Sequence, residues 1–162
     1  MFVDPFTSLH TALSLIAIVV GIPVIADLVA GRVRALPTTL FLITAILTSV
    51  TGYGFPFHRL LPSHIVGAIA LVVLALVLIA RYGYRLAGAW RGVYAIGMVI
   101  SHYLLIFVLI AQLFGKVPAL NALAPTQSEP PFAIAQGIAL LVFVVLGVLA
   151  SRRFRPAIPA AA

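Results

Sequence analysis

The sequence predicts an all-α integral membrane bundle of five transmembrane helices, with the N-terminus outside and the C-terminus in the cytoplasm. Three observations lead to this fold class. Apolar residues make up 64% of the chain and charged residues 8%, whereas soluble domains average roughly half apolar and a quarter charged. Five apolar stretches approach or exceed the roughly 20 residues that cross a bilayer. The connections between them are short and carry most of the basic residues.

Turn residues and basic connections mark the ends of the five predicted spans. Pro23 predicts a bend in the first span, and Gly52, Gly54 and Pro56 end the second. Pro62 occupies a favoured first-turn position at the start of the third. The spans cover about 9–30, 37–55, 62–81, 90–114 and 132–151.

One connection is longer and more polar than the others. The segment 116–131, KVPALNALAPTQSEPP, carries four prolines and the acidic Glu129, so it cannot be a continuous helix. We expect it to form an ordered outer loop over the bundle. Residues 1–155 are then a single transmembrane domain, and the Ala/Pro tail 156–162 is expected to be disordered. No basic residue precedes the first apolar run, so that span should remain in the mature protein.

The distribution of basic residues predicts the orientation of the bundle. Short connections rich in Lys and Arg stay in the cytoplasm. Eight arginines fall at one end and two basic residues at the other, so the outer loop faces a periplasm in a Gram-negative host. The eight are Arg32, Arg34, Arg81, Arg85, Arg91, Arg152, Arg153 and Arg155, and the two are Arg59 and Lys116.

Composition also argues against several classes of function. The net charge of +7 comes from basic residues scattered between apolar runs, which indicates membrane orientation, so nucleic acid is not expected as a partner. The chain has no cysteine, which excludes disulfides, thiolate metal sites and redox thiols. It shows no recognisable nucleophile-histidine-acid set and no phosphate-binding glycine loop. Classical hydrolase chemistry is therefore disfavoured, and the balance is against an enzyme.

Stripes of small and hydroxyl residues follow several of the predicted spans. Thr44, Thr48 and Thr51 share one helical face, and Gly97 and Ser101 share another. We interpret both stripes as packing surfaces, because small residues let helices approach and Ser or Thr hydroxyls bond to their own helix.

Asp27 is the main polar residue in the half of the bundle that carries the arginines. We expect it to pair with Arg32 or Arg34, or to cap a neighbouring helix. A role in proton transfer is less favoured, because a single carboxylate without a midplane partner makes a poor pathway.

Polar residues gather in the half of the bundle beneath the outer loop. We predict a non-enzymatic binding or accessory protein whose polar outer mouth holds a small ligand, a lipid portion or a partner protein. The lipid bilayer is its expected environment, and a membrane-protein partner or a homo-oligomer is compatible with this hypothesis. The residues of the predicted mouth are His10, Thr51, His64, Gln112, Gln127, Glu129 and Gln136.

Two alternatives remain open at this stage. Imidazole is a common ligand of haem iron, copper and zinc, so two of His10, His64 and His102 could hold a single haem b or a metal ion on the outer side. The half of the bundle that carries the arginines has no histidine, which disfavours electron transfer across the whole membrane. The second alternative is an oligomeric channel or transporter lined by the threonine stripe and the polar face of span four.

Four segments of the chain carry a resemblance to known proteins. The most specific is the loop KVPALNALAPTQSEPPFAIAQ at 116–136. The others are FTSLHTALSLIAIVVG at 6–21, LTSVTGYGFPF at 47–57 and LAGAWR at 86–91. Together they resemble a family of small, uncharacterised multi-pass proteins of the bacterial inner membrane, found chiefly in proteobacteria. The resemblance implies a bacterial inner membrane and a small helical bundle. It implies no activity, so no catalytic residue is carried over from it.

Overall fold

The computed structural model of the protein describes residues 4–55 and 62–155. Within these residues the chain is helical apart from short connections, and no strand occurs among them, which agrees with the predicted all-α class. A 3-10 turn at Gly52–Gly54 follows α2, and a π-helical turn at Ile79–Gly83 extends α3. The helices are α1 Pro5–Val29, α2 Ala35–Thr51, α3 Pro62–Leu78, α4 Trp90–Lys116, α5 Pro118–Leu123 and α6 Pro130–Arg153.

Five of these elements are long and apolar enough to cross a membrane, as the sequence predicted: α1, α2 with its 3-10 turn, α3 with its π-helical turn, α4 and α6. The first begins four residues before the predicted start. Asp4 accepts a hydrogen bond of 3.1 Å from the backbone N–H of Thr7, and Pro5 takes the first helical position. An acidic cap followed by proline is a strong signal for a helix N-terminus.

The predicted outer loop contains more helix than the sequence indicated. Helix α4 runs to Lys116, and the short α5 follows after the single residue Val117. Pro118 cannot donate to the carbonyl of Phe114, and the Asn121 side chain donates to that carbonyl instead at 3.1 Å. A turn at 124–129 then leads into α6. The predicted tail at 156–162, and the residues Pro56 and Arg59 used in the sequence analysis, lie outside the described residues.

Helix α4 occupies the centre of the fold. It packs against α1, α3, α5 and α6, while α2 closes the other side by packing on α1 and α3. Helices α1 to α4 therefore form a ring, and α6 lies outside it against α4 and α1. The arginines of the connections gather at one end of this ring, which we call the arginine end. The opposite end, which carries Lys116 and the 117–129 connection, is the loop end.

The densest part of the core lies towards the arginine end. The largest fully buried side chains include Leu28, Phe41, Leu74, Tyr94 and Met98, which come from all four helices of the ring. Bulky residues from facing helices fill the space there, as in any close-packed interior.

Two glycines set the distances between helices. A Cβ added to Gly97 would lie 2.6 Å from Cγ2 of Val77, and one added to Gly21 would lie 2.6 Å from Cδ2 of His102. Both positions therefore need glycine for the observed approach of α4 to α3 and to α1. The Gly97 contact agrees with the interpretation of its stripe as a packing surface.

The arginine end is held together by ion pairs and hydrogen bonds. The buried carboxylate of Asp27 accepts from Nε of Arg32 at 3.1 Å and from Nε of Arg34 at 2.6 Å. The pairing expected from the sequence is confirmed, with both arginines as partners. Across the bundle, Nη1 of Arg81 donates to the hydroxyl of Tyr94 at 2.9 Å.

The outer surfaces of the long helices are strongly apolar. Ile134, Ile138 and Leu141 on α6 each leave more than half of their surface exposed, and Val19 on α1 and Val72 on α3 do the same. Such surfaces suit hydrocarbon, where a helix satisfies its own backbone polar groups and needs no polar exterior. They support a multi-pass membrane protein.

Candidate functional site

A cavity of about 580 Å³ lies between α1, α2, α3 and α4 in the loop-end half of the bundle. We call it the loop-end cavity. Its volume falls within the range of small-molecule binding sites. Small residues create the space, because Ser14, Ala45, Ser49, Gly67 and Ala70 line it where the arginine end has bulky side chains.

His10 lies on the α1 wall of the cavity and is held by a defined hydrogen bond. Its Nδ1 lies 2.9 Å from Oγ1 of Thr51, and that hydroxyl donates its own proton to the carbonyl of Leu47 at 2.7 Å. The threonine oxygen must therefore accept, so the neutral imidazole carries its proton on Nδ1. The ring also packs edge-on against Phe55, with centroids 5.1 Å apart. Nε2 is the nitrogen left with a lone pair.

Tyr53 forms part of the wall between α2 and α3. Its hydroxyl donates to the backbone carbonyl of His64 at 2.7 Å, and the two rings lie 5.7 Å apart. The ring packs over Gly67, where an added Cβ would lie in ordinary contact with it at 3.4 Å. The sequence analysis did not select Tyr53 as a site residue.

Two buried hydroxyl groups on the cavity wall lack a hydrogen-bond partner within the described part of the chain: Oγ1 of Thr48 and Oγ of Ser101. These residues are 8% and 2% exposed, respectively, and both line the cavity. Other hydroxyls nearby behave differently. Ser49 donates to the carbonyl of Ala45 at 2.9 Å, and Ser14 donates to that of His10 at 2.8 Å.

The seven residues of the predicted mouth separate into two places. His10, His64 and Gln112 line the loop-end cavity, and Thr51 supports it through its bond to His10. Gln127, Glu129 and Gln136 do not line it. The side chain of Gln127 donates to the carbonyl of Ala111 at 2.9 Å, and that of Gln136 donates to the carbonyl of Phe107 at 3.1 Å. These two amides attach the 124–129 turn and α6 to α4.

Glu129 organises the exposed turn before α6. Its carboxylate accepts from the hydroxyl of Thr126 at 2.8 Å, from the backbone N–H of Thr126 at 3.2 Å and from that of Ser128 at 3.1 Å. The Thr126 hydroxyl is the main reason why the pKa of the Glu129 carboxyl lies below its usual value. Gln127 adopts a left-handed backbone conformation at φ 57°, which the hydrogen bond from its side-chain amide to α4 stabilises.

The third histidine of the haem or metal alternative points elsewhere. Nε2 of His102 donates to the carbonyl of Ile18 at 3.0 Å, and its ring packs edge-on between Phe41 and Phe143. It does not line the cavity. Among residues 4–55 and 62–155, no three His, Asp or Glu side chains group in a way that could hold a metal ion. A haem that uses His102 as a ligand therefore does not fit. The haem or metal alternative keeps His10 and His64 as its candidate ligands.

Sequence reasoning did not select Lys116, Thr48 or Ser101 for the site. Lys116 lines the cavity at the loop end, where the charge pattern could have drawn attention to it. The two hydroxyls had been interpreted as packing groups.

No protein-family model matches the chain, and neither a curated protein nor a solved structure matches it at a significant level. The interpretation of the site therefore depends on its geometry and chemistry.

Proposed function

We propose that this protein is a non-enzymatic membrane protein that binds one small amphipathic molecule in the loop-end cavity. The observation that carries the proposal is the cavity itself, which combines apolar walls with polar groups at its open and deep ends. Small-molecule sites typically have this composition, with a few polar groups that orient a ligand in an otherwise apolar pocket. A lipid or a lipid-like metabolite from the surrounding bilayer meets these requirements.

We also propose in which membrane the protein resides and which end of the bundle faces the cytoplasm. The protein resides in the bacterial inner membrane, with the loop end outward and the arginine end in the cytoplasm, because eight arginines against two basic residues favour that topology. The cavity then opens towards the outer leaflet. The tightly packed arginine end favours a binding site over a continuous channel, since Phe41, Tyr94 and Met98 fill the ring there.

The test is to fill the cavity with a side chain. Ala70 is buried on the cavity side of α3, whereas Ala68 on the same helix is exposed. In nanodiscs, dansylamide, a neutral amphipathic fluorophore without a chain, should bind the wild type and Ala68→Phe saturably, with enhanced emission. Ala70→Phe should bind it at least tenfold more weakly. Equal binding to both variants would contradict the proposed site, and no saturable binding to the wild type would contradict the function.

A further inference from the structure

Building on the proposed function, we infer that the ligand is an anionic chain molecule with a second polar group near the far end of its chain. A hydroxylated fatty acid is the simplest member of this class. Three parts of the loop-end cavity support the assignment: a positively charged rim, an apolar middle and a floor with the unpaired hydroxyl of Ser101.

The rim favours a negatively charged head group. Lys116 lines the cavity where α4 ends, and Gln112 lies one turn deeper on the same helix. His10 faces the same space from α1. None of the described residues that line the cavity is Asp or Glu. An ammonium group without a competing carboxylate attracts a carboxylate or phosphate.

The middle of the cavity favours a hydrocarbon chain. Its walls include Leu15 and Ile18 from α1, Leu105 and Leu109 from α4, and Leu74 from α3. The hydroxyl of Ser49 also borders this space, but it is already bonded to the carbonyl of Ala45. A chain can therefore pass without leaving that group unsatisfied, and the apolar contacts contribute in proportion to the area they bury.

The floor favours a polar group at the end of that chain. The hydroxyl of Ser101 is buried and has no partner within the described residues. The hydroxyl of Thr48 also lacks a partner there, but Thr48 lies within one turn of Thr51 and so is nearer the loop end. Helical Ser and Thr usually bond to the carbonyl one turn before them, as Ser49 and Thr51 do here. Buried polar groups rarely remain unpaired. A hydroxyl or carbonyl oxygen at the end of the ligand would satisfy the Ser101 donor, whereas a methyl terminus would not.

The depth of the cavity sets the spacing between the two polar groups. Gln112 and Ser101 are eleven residues apart on α4, which corresponds to about 16 Å at the helical rise per residue. An extended chain of about a dozen carbon atoms spans that length, at roughly 1.3 Å per bond along the chain. The structure therefore favours a medium-length chain with its second polar group at or near the terminus.

The experiment compares 12-hydroxydodecanoic acid with dodecanoic acid by titration calorimetry on the protein in nanodiscs. The wild type should bind the hydroxylated probe about tenfold more tightly, because one hydrogen bond to a buried group contributes about that factor. Ser101→Ala should reduce the preference several-fold while dodecanoic acid binds as before, which shows that the variant folds. Thr48→Val, which is nearer the loop end, should keep the preference. Ser49→Ala is the matched control, since its hydroxyl is already bonded, and should keep the preference.

Each outcome decides between the two proposals. If Lys116→Gln weakens both probes equally and keeps their ratio, the anionic head lies at the rim as inferred. Equal affinity of the wild type for the two probes, or a preference that survives Ser101→Ala, overturns the inference and means that water satisfies the floor. If neither probe binds but the dansyl probe does, the inference fails and the proposed function stands. If none of the three binds, both fail.

Discussion

Gly21 allows a sharp test of how α1 and α4 pack. A Cβ at this position would lie 2.6 Å from Cδ2 and 2.7 Å from Nε2 of His102, which is much closer than real contacts. The ring cannot move away freely, because Nε2 donates to the carbonyl of Ile18 and Phe143 packs against it. Overpacking of this kind lowers the free energy of unfolding by about 1–3 kcal/mol. Replacement of a helical glycine by alanine alone stabilises by about 0.5–1 kcal/mol.

Gly137 on α6 is the matched control, because a Cβ there would meet nothing within 4 Å. Both substitutions share the gain in helix propensity, so the difference between Gly21→Ala and Gly137→Ala isolates the clash at about 1–3 kcal/mol of unfolding free energy. Steric trapping in a mild detergent measures that free energy. The double variant Gly21→Ala/His102→Ala should lose less than the sum of its parts, because it removes the clashing ring. Equal stability of the two single variants would refute the packing described here.

Three further predictions concern polar contacts outside the cavity. Replacing Asn121 with Ala should destabilise the α4–α5 junction by about 1 kcal/mol, measured by thermal unfolding, because the Phe114 carbonyl then has no donor. Asp27→Asn should lower the stability by about 1–2 kcal/mol in the same assay, since it leaves one carbonyl oxygen for two partly exposed arginines. Unchanged stability would show that the two ion pairs are energetically neutral. Because the pKa of Glu129 is lowered in the fold, its stabilising contribution should be complete at neutral pH and be lost as pH falls through that lowered value. Amide-exchange protection of Thr126 should therefore fall with acid in the wild type and be low at every pH in Glu129→Ala, which has no side-chain acceptor for that N–H.

The helices were predictable because a helix that crosses the hydrocarbon of a bilayer must be long and apolar. Long apolar runs and prolines near their starts located five spans. The ion pair of Asp27 was predictable because its arginine partner Arg32 is close to it in sequence. Helix α5 was missed because four prolines suggested an irregular loop. Pro118 in fact begins a helix, since a first-turn proline needs no hydrogen bond of its own.

The site was only half predictable, because a sequence does not say which helix faces which. Helical faces placed His10, His64 and Gln112 in one mouth, and the structure brings them to one cavity. Gln127 and Gln136 were assigned to the same mouth, but α6 packs outside the ring and its glutamine bonds to the backbone of α4. The hydroxyl rotamers of Thr48 and Ser101 depend on neighbouring side chains across the ring, so no pattern within one helix could reveal them.

The central helix of this fold is the fourth in the chain, and this order has a consequence for biogenesis. When α1, α2 and α3 leave the ribosome, the wall that carries Ser101 and Gln112 has not yet been made. His10 and Thr48 must then face lipid or the insertion machinery, where polar groups are poorly accommodated. Arrival of α4 closes the ring and covers them in one step. Truncation of the nascent chain before Trp90 should therefore leave an insertion intermediate that quality-control proteases recognise.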